Sequence, residues 1–480
     1  MHHYRDAGNP RKPIRRAVDL HIGEKKRVAL SDGTSTVVEL RAVHEEHDSI
    51  RRAVRRADVQ VAVDGVELSL ASGNYHLPTQ AGNVLIDCPV TNGYTANASL
   101  DETGQRWALS SDARLRLWPA DSPLLAQGTF GYPVRQRWFA SATQMANEPV
   151  YVNGGEDSSK KRIYYHDGLD IGGAEGMTEV LSATDCIVLA ADIRRSEGSE
   201  DMPFLPAPGR VYAIDDRGWL YEYAHLKEIY PWIEPGTHLE IGQPLGLLGK
   251  EGKSGGWAHL HFNIKSLQPS GAWGTEDGYA YLWEAYVDTY KPRVLAVARP
   301  HQYLRAGQSA VLDGSKSRSF GSRIEQHEWT LSDGSTAQGP RVRHVYDRPG
   351  TYSEILKVID AKGNIDYDFT SILVVEDDER PRTPLGIHAA FFPTLGVKPG
   401  DSVTFKVRSF NRFHGGESLD FGDGTPPQKI HSDGNIDPHN AEGYAVTTHA
   451  YRDAGHYIVR AERKNPDGAK ATADLHVIIG

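Results

Sequence analysis

The stretch VQVAVDGVELSL, Val59 to Leu70, constrains the fold more than any other part of this chain. Apolar residues recur at every second position on both sides of Asp64-Gly65. That period places alternate side chains on opposite faces of a strand, and an Asp-Gly pair between two such runs supplies the positive φ angles of a tight hairpin. The same pattern returns in KRVAL, STVVELRAV and NVLID, with a second Asp-Gly turn at Asp32-Gly33. Residues 1–120 are expected to form a small N-terminal β domain. With 48 Gly and 27 Pro, and Tyr outnumbering Met 22 to 4, the composition favours turn-rich β structure throughout.

From 121 to 160 the chain is aromatic and Pro-containing without clean periodicity, as expected of a packed connector. Short strand-like runs with Gly at nearly every junction fill 161–291, among them EVLSATDCIVLAAD, GRVYAIDD, QPLGLLG and WAHLHFNIK, and predict an antiparallel sheet with tight turns. The last third holds a degenerate repeat. WTLSDGST and HVYDRPGTY return as DFGDGTP and HAYRDAGHY, and the second copy carries an insertion at SDGNIDPHNAEG. Two β-sandwich units are expected at 292–378 and 379–480, with EDDERPRTPLG as a linker between them. The whole is mainly β and multidomain: a central antiparallel β-sheet domain flanked by β-sandwich domains.

A net charge of −10 disfavours nucleic acid as the main partner, because phosphate binding needs a basic footprint. The basic stretch RRAVRRA, Arg51 to Ala57, is read as a solvated strand edge or short helix face. No apolar run reaches 18 residues, so no membrane span is expected. The first twenty residues lack the apolar core of a secretory leader. Cys88 and Cys186 can form one disulfide or stay as two buried thiols.

Chemistry concentrates in three places. In GGWAHLHFNIK, His259 and His261 stand two apart in a strand-like run, so both imidazoles share one face while Leu260 and Phe262 share the other. In YYHDGLDIGG, His166 and Asp170 are four apart, but Gly168 and Gly172-Gly173 favour a turn entering a strand over a helix, with Gly168 letting the two side chains converge. One imidazole and one carboxylate are a partial zinc shell, and His261 or His259 can complete it with a position left for water. In YEYAHLK, His225 is placed in a strand beside Tyr223 on the same face. Taken alone, it reads as an ordinary sheet histidine.

Together, the order H-x-x-x-D, Y-A-H-L and G-x-S-G-G-x-x-H-L-H-F resembles the lysostaphin-type zinc metalloendopeptidases, over about 160–290. GQPLGLLGKEGKSGG resembles that family's hairpin before the H-x-H strand. Cys186 departs from a frequent glycine, which is expected to affect a turn and not the site. The resemblance implies that His166, Asp170 and His261 hold Zn2+, and that His225 and His259 are unligated catalytic histidines. Zinc lowers the pKa of bound water to about 7, and a histidine suits removal of its proton. His259 is the expected base and His225 the expected stabiliser of the oxyanion, with Tyr223, Ser254 and Asn263 as supporting groups. The C-terminal copies resemble PKD-type β-sandwiches, the first over about 294–376 through VLDGSKS, HEWTLSDG and HVYDRPGTY.

The expected function is that of a zinc-dependent endopeptidase acting through a metal-activated water, with bacterial peptidoglycan cross-links as first substrate and elastin-like Gly-rich protein as second. Glycine beside the scissile bond lets backbone approach a metal closely. The competing readings are a zinc enzyme acting on a surface polysaccharide and an inactive surface-binding scaffold. The sandwiches are expected to bind cell-surface carbohydrate or protein. A secreted, cell-surface or periplasmic location follows, with the chain starting after a removed leader. By the same resemblance an upstream segment could occlude the groove, Asn147 or Asn153 capping the open metal position.

Overall fold

The hairpin expected at Asp64-Gly65 is present: both residues have positive φ (48° and 88°), and Val63 faces Val66 across the turn. This computed structural model describes residues 11–96, 106–152, 162–377, 384–410, 416–466 and 468–480. In the N-terminal domain two four-stranded antiparallel sheets enclose Leu20, Val38, Leu40, Val59, Val61, Ile86, Leu115 and Leu117. The basic stretch continues as strand Val54–Val63. It is not a free cationic patch: Arg55 pairs with Asp48 and lies over Tyr303 of the first C-terminal sandwich, and Arg56 pairs with Asp58.

The central sheet places strand His259–Leu267 between Leu220–Ala224 and Leu169–Gly172. Leu260, Phe262 and Ile264 are fully buried on one face, against Tyr221, Tyr223 and the aromatic residues of helix Tyr279–Tyr290. Each fully buried Leu or Phe side chain contributes about 1.5–3 kcal/mol. A one-residue slip would move Leu260 and Phe262 together out of this apolar core onto the polar site face, so the register that keeps the histidines off the core is favoured by about 5 kcal/mol from these two alone. The connector packs into this same core through Tyr132, Trp138 and Phe139, and adds a short edge strand, Thr143–Gln144, beside Leu169–Gly172. Pro244–Leu248, within the segment that resembles the family's hairpin, pairs with Glu179–Leu181 and Leu226–Ile229 in a three-stranded sheet, and the next residue, Gly249, forms an antiparallel bridge to His259 of the H-x-H strand. Cys186 opens strand Cys186–Ala191 and is not in a turn. Both cysteines are free and buried in different domains.

The N-terminal domain is fastened to the central one by buried charge. Arg15 and Arg116 both pair with Glu276, and Arg116 also pairs with Asp87. The sequence repeat has a structural explanation. In each copy the turn aspartate, Asp333 or Asp423, accepts hydrogen bonds from the Ser or Thr two residues on, and the histidine of H-x-Y, His344 or His449, reaches back to it. The two units are less separate than a linker implies. They share one sheet, because Gly350 and Thr351 pair in parallel with Lys470 and Ala471. No helix among the described residues is long and apolar enough to cross a membrane.

Candidate metal centre

His166 follows strand Arg162–Tyr165, and Asp170 lies in Leu169–Gly172. Between them Gly168 takes φ +76°, where a Cβ would stand 2.7 Å from the Phe262 carbonyl oxygen and 2.9 Å from Asn263 Cβ. Glycine is required there twice over, by its backbone conformation and by the close approach of the neighbouring strand. Asp170 then sits directly opposite His261 in the antiparallel ladder.

The three side chains meet. His166 Nε2 lies 3.1 Å from Asp170 Oδ1 and 3.1 Å from His261 Nδ1, and His261 Nδ1 lies 2.8 Å from the same Oδ1. His166 Nδ1 faces the Met145 carbonyl at 3.3 Å. A carbonyl only accepts, so Nδ1 carries the proton and the Nε2 lone pair is aimed at an anionic oxygen. Two acceptors about 3 Å apart need a positive charge between them. Three such atoms can close on one ion at the roughly 2.0–2.2 Å bond lengths of zinc, so this donor set fits the metal.

His225 and His259 flank the cluster, with ring centroids 4.6 Å apart, and His225 is 6.0 Å from His261. Each is tethered through Nδ1 to a backbone carbonyl, His225 to Glu251 at 2.6 Å and His259 to Trp257 at 3.1 Å. Both Nε2 atoms are thereby left unprotonated when the rings are neutral, and that of His259 lies 3.5 Å from Asp170 Oδ2. Burial pushes His259 well below the ordinary imidazole range and His225 down to about 4. Burial works against the Asp170 carboxylate too, but the neighbouring His166 and His259 hold it well below its usual range. For His261 burial is outweighed by Asp170 and Glu222, and its pKa is raised.

Two expectations fail on backbone geometry. His225 is not in a strand: it takes φ +68° between Leu220–Ala224 and Leu226–Ile229. That left-handed residue breaks the period of two, so Tyr223 points into the core, where its hydroxyl accepts the Ala183 N–H. Glu222 and Ala224 share the site face instead, opposite Asn263 and His261. Ser254 braces the loop before the H-x-H strand, donating to the Lys250 carbonyl and accepting from Gly256 N–H. Asn263 donates to Asp167, beside His166. Asn147 is buried, its backbone N–H on the His166 carbonyl and its Nδ2 on Pro89 of the N-terminal domain. Asn153 lies outside the described residues. Sequence reading passed over Glu222, the Met145 carbonyl and Trp257, whose indole stacks on His259 at 3.9 Å. Only Trp257 carried a signal, standing two residues before His259 in GGWAHLHFNIK.

Residues 164–271 match the sequence model of Peptidase family M23, and residues 291–374 that of the PKD domain. Among solved structures, the PKD domain from human VPS10 domain-containing receptor SorCS2 is 22% identical over 21% of this chain and 80% of its own, with TM-score 0.16. Csd3 from Helicobacter pylori, in a hexagonal crystal, is 12% identical over 56% of this chain and 80% of its own, with TM-score 0.20. Likenesses this slight carry no weight for fold or function. The central segment of this chain is a peptidase family M23 domain of the lysostaphin type, followed by a PKD domain.

Proposed function

We propose that this protein is a zinc-dependent endopeptidase that cuts peptide cross-links in bacterial peptidoglycan, outside the cytoplasm. The observation that carries the reading is the meeting of His166, Asp170 and His261, whose ligand atoms all lie within 4.8 Å of one another. A zinc ion held by these three would supply Lewis acidity, the chemistry that lets a water ionise near neutral pH. His259, neutral and with its Nε2 lone pair on the Asp170 side, takes the proton that this water gives up. His225 starts in the same tautomer and, once its Nε2 takes up a proton from solvent, donates as an imidazolium toward the oxyanion, whose negative charge favours that form. The protonated His259 then gives its proton to the leaving amine. An inactive scaffold has no use for two unligated histidines each tied by Nδ1 so as to free Nε2.

The test compares the intact chain with His261→Ala and His259→Ala, by metal analysis and by release of new amino termini from purified cell walls. His261→Ala is expected to lose zinc. His259→Ala is expected to keep it and lose about 100-fold or more in turnover, the usual worth of a general base. Full zinc stoichiometry in His261→Ala would remove the ligand assignment, and new reducing or unsaturated sugar ends would redirect the enzyme to polysaccharide.

A further inference from the structure

The loop Gly255–Ala258, which leads into the catalytic strand, is held from outside the peptidase domain. Tyr444 of the second C-terminal sandwich accepts the Ala258 N–H at 2.8 Å. Its hydroxyl proton is then directed to His388 Nδ1 at 2.9 Å, leaving His388 Nε2–H to donate to Ser141 of the connector at 2.9 Å, and Ser141 donates to the Ala389 carbonyl at 2.6 Å. Every donor in this relay has one acceptor, and all three side chains, Tyr444, His388 and Ser141, are buried. On the other side of the loop, Arg408 donates to the Gly256 carbonyl at 2.5 Å while its remaining N–H groups are taken by Asp433 and the carbonyls of Asp437 and Pro438. Asn435 donates to the Gly255 carbonyl at 3.1 Å. A Cβ on Gly256, whose φ is +88°, would run into that amide. Asp433, Asn435, Asp437 and Pro438 all belong to the insertion that distinguishes the second repeat from the first.

What this clamp fixes is Trp257. Its carbonyl accepts from His259 Nδ1, its ring stacks on the His259 imidazole, and it meets the His388 ring edge-to-face with centroids 5.4 Å apart. We infer that Tyr444 and Arg408 of the second C-terminal sandwich are positioning residues of the peptidase, setting through Trp257 the tautomer and orientation in which His259 works. The inference rests on the peptidase reading above. It makes the appended sandwich part of the machinery that assembles the site, in addition to any surface it binds.

The experiment uses the full chain with Tyr444→Phe, which removes one oxygen and keeps the ring, and Arg408→Met. Tyr457→Phe is the control, since it deletes a hydroxyl of the same sandwich whose partner is the Asp453 carbonyl. Misplacing a reacting group by about 1 Å can cost 100-fold. Tyr444→Phe is therefore expected to lower kcat about tenfold or more with KM and zinc content unchanged. Amide exchange over 255–259, followed by mass spectrometry, should quicken about tenfold as local opening becomes easier. The control should move neither quantity. If Arg408→Met does not fold, Tyr444→Phe decides alone. Faster exchange with unchanged kcat would overturn the positioning role, and unchanged exchange would overturn the clamp. Absence of hydrolysis by the unaltered chain is a different failure: it refutes the peptidase reading, and exchange then judges the clamp by itself.

Discussion

Gly168→Ala is the sharpest perturbation of the candidate metal centre that leaves His166, Asp170 and His261 unchanged. Placing a Cβ at φ +76° costs about 1 kcal/mol relative to glycine. The new methyl would also stand 2.7 Å from the Phe262 carbonyl oxygen and 2.9 Å from Asn263 Cβ. Phe262 is fully buried and lies in the middle of the sheet, so its strand cannot step aside, and overlap of this kind costs about 1–3 kcal/mol. The total is about 3 kcal/mol, or roughly 100-fold in an equilibrium constant. If the turn opens to relieve the strain, His166 and Asp170 part and the cost appears as weaker zinc binding, measurable by chelator competition. If it stays shut, the cost appears in the denaturant midpoint. Gly242→Ala is the control, because Gly242 has φ +78° and a methyl placed on it would meet nothing within 4 Å. It should show the conformational part alone, about 1 kcal/mol. Should Gly168→Ala match Gly242→Ala in both zinc affinity and stability, the close approach of the two strands would not be what shapes the site.

Two further outcomes follow from buried ionisable groups. Burial works against the Glu276 carboxylate, but Arg15 and Arg116 outweigh it and hold its pKa down to about 2. A carboxylate depressed on folding contributes stability above its unfolded pKa and loses it as pH falls, here between about 4.5 and about 2, with about 3 kcal/mol at stake. Glu276→Gln should flatten acid unfolding in that window, monitored by tryptophan fluorescence, and an unchanged acid profile would contradict the pairing. Burial also pushes the thiols of Cys88 and Cys186 up to about 12. An aromatic disulfide reagent should titrate neither in the native chain and both after unfolding without reductant. Fewer than two thiols in the unfolded chain would mean that they are not free.

The parts of the site legible in the sequence are those governed by local rules. Alternation put His259 and His261 on one face and Leu260 and Phe262 on the other, and a glycine in H-x-G-x-D announced a turn. His225 defeated the same rule because one residue with positive φ resets the alternation, and nothing in YAHLK marks it. His, unlike glycine, adopts that region too rarely to be read as a signal. The clamp by Tyr444 and Arg408 was out of reach for another reason. The insertion SDGNIDPHNAEG was visible, but what it covers depends on how two domains dock, and no periodicity encodes docking. The shared C-terminal sheet was hidden likewise, since its joining pair of strands is more than a hundred residues apart in the chain.

The contact between Ala258 and Tyr444 spans 186 positions of the chain. A ribosome delivers the five polar residues of the cluster long before the hydroxyl that steadies their entrance loop. During that interval a nascent polypeptide can already possess His166, Asp170 and His261 while lacking the brace for the loop before His259. Under the proposed function, hydrolytic competence would then follow the docking of the second sandwich and not the completion of the ligand set.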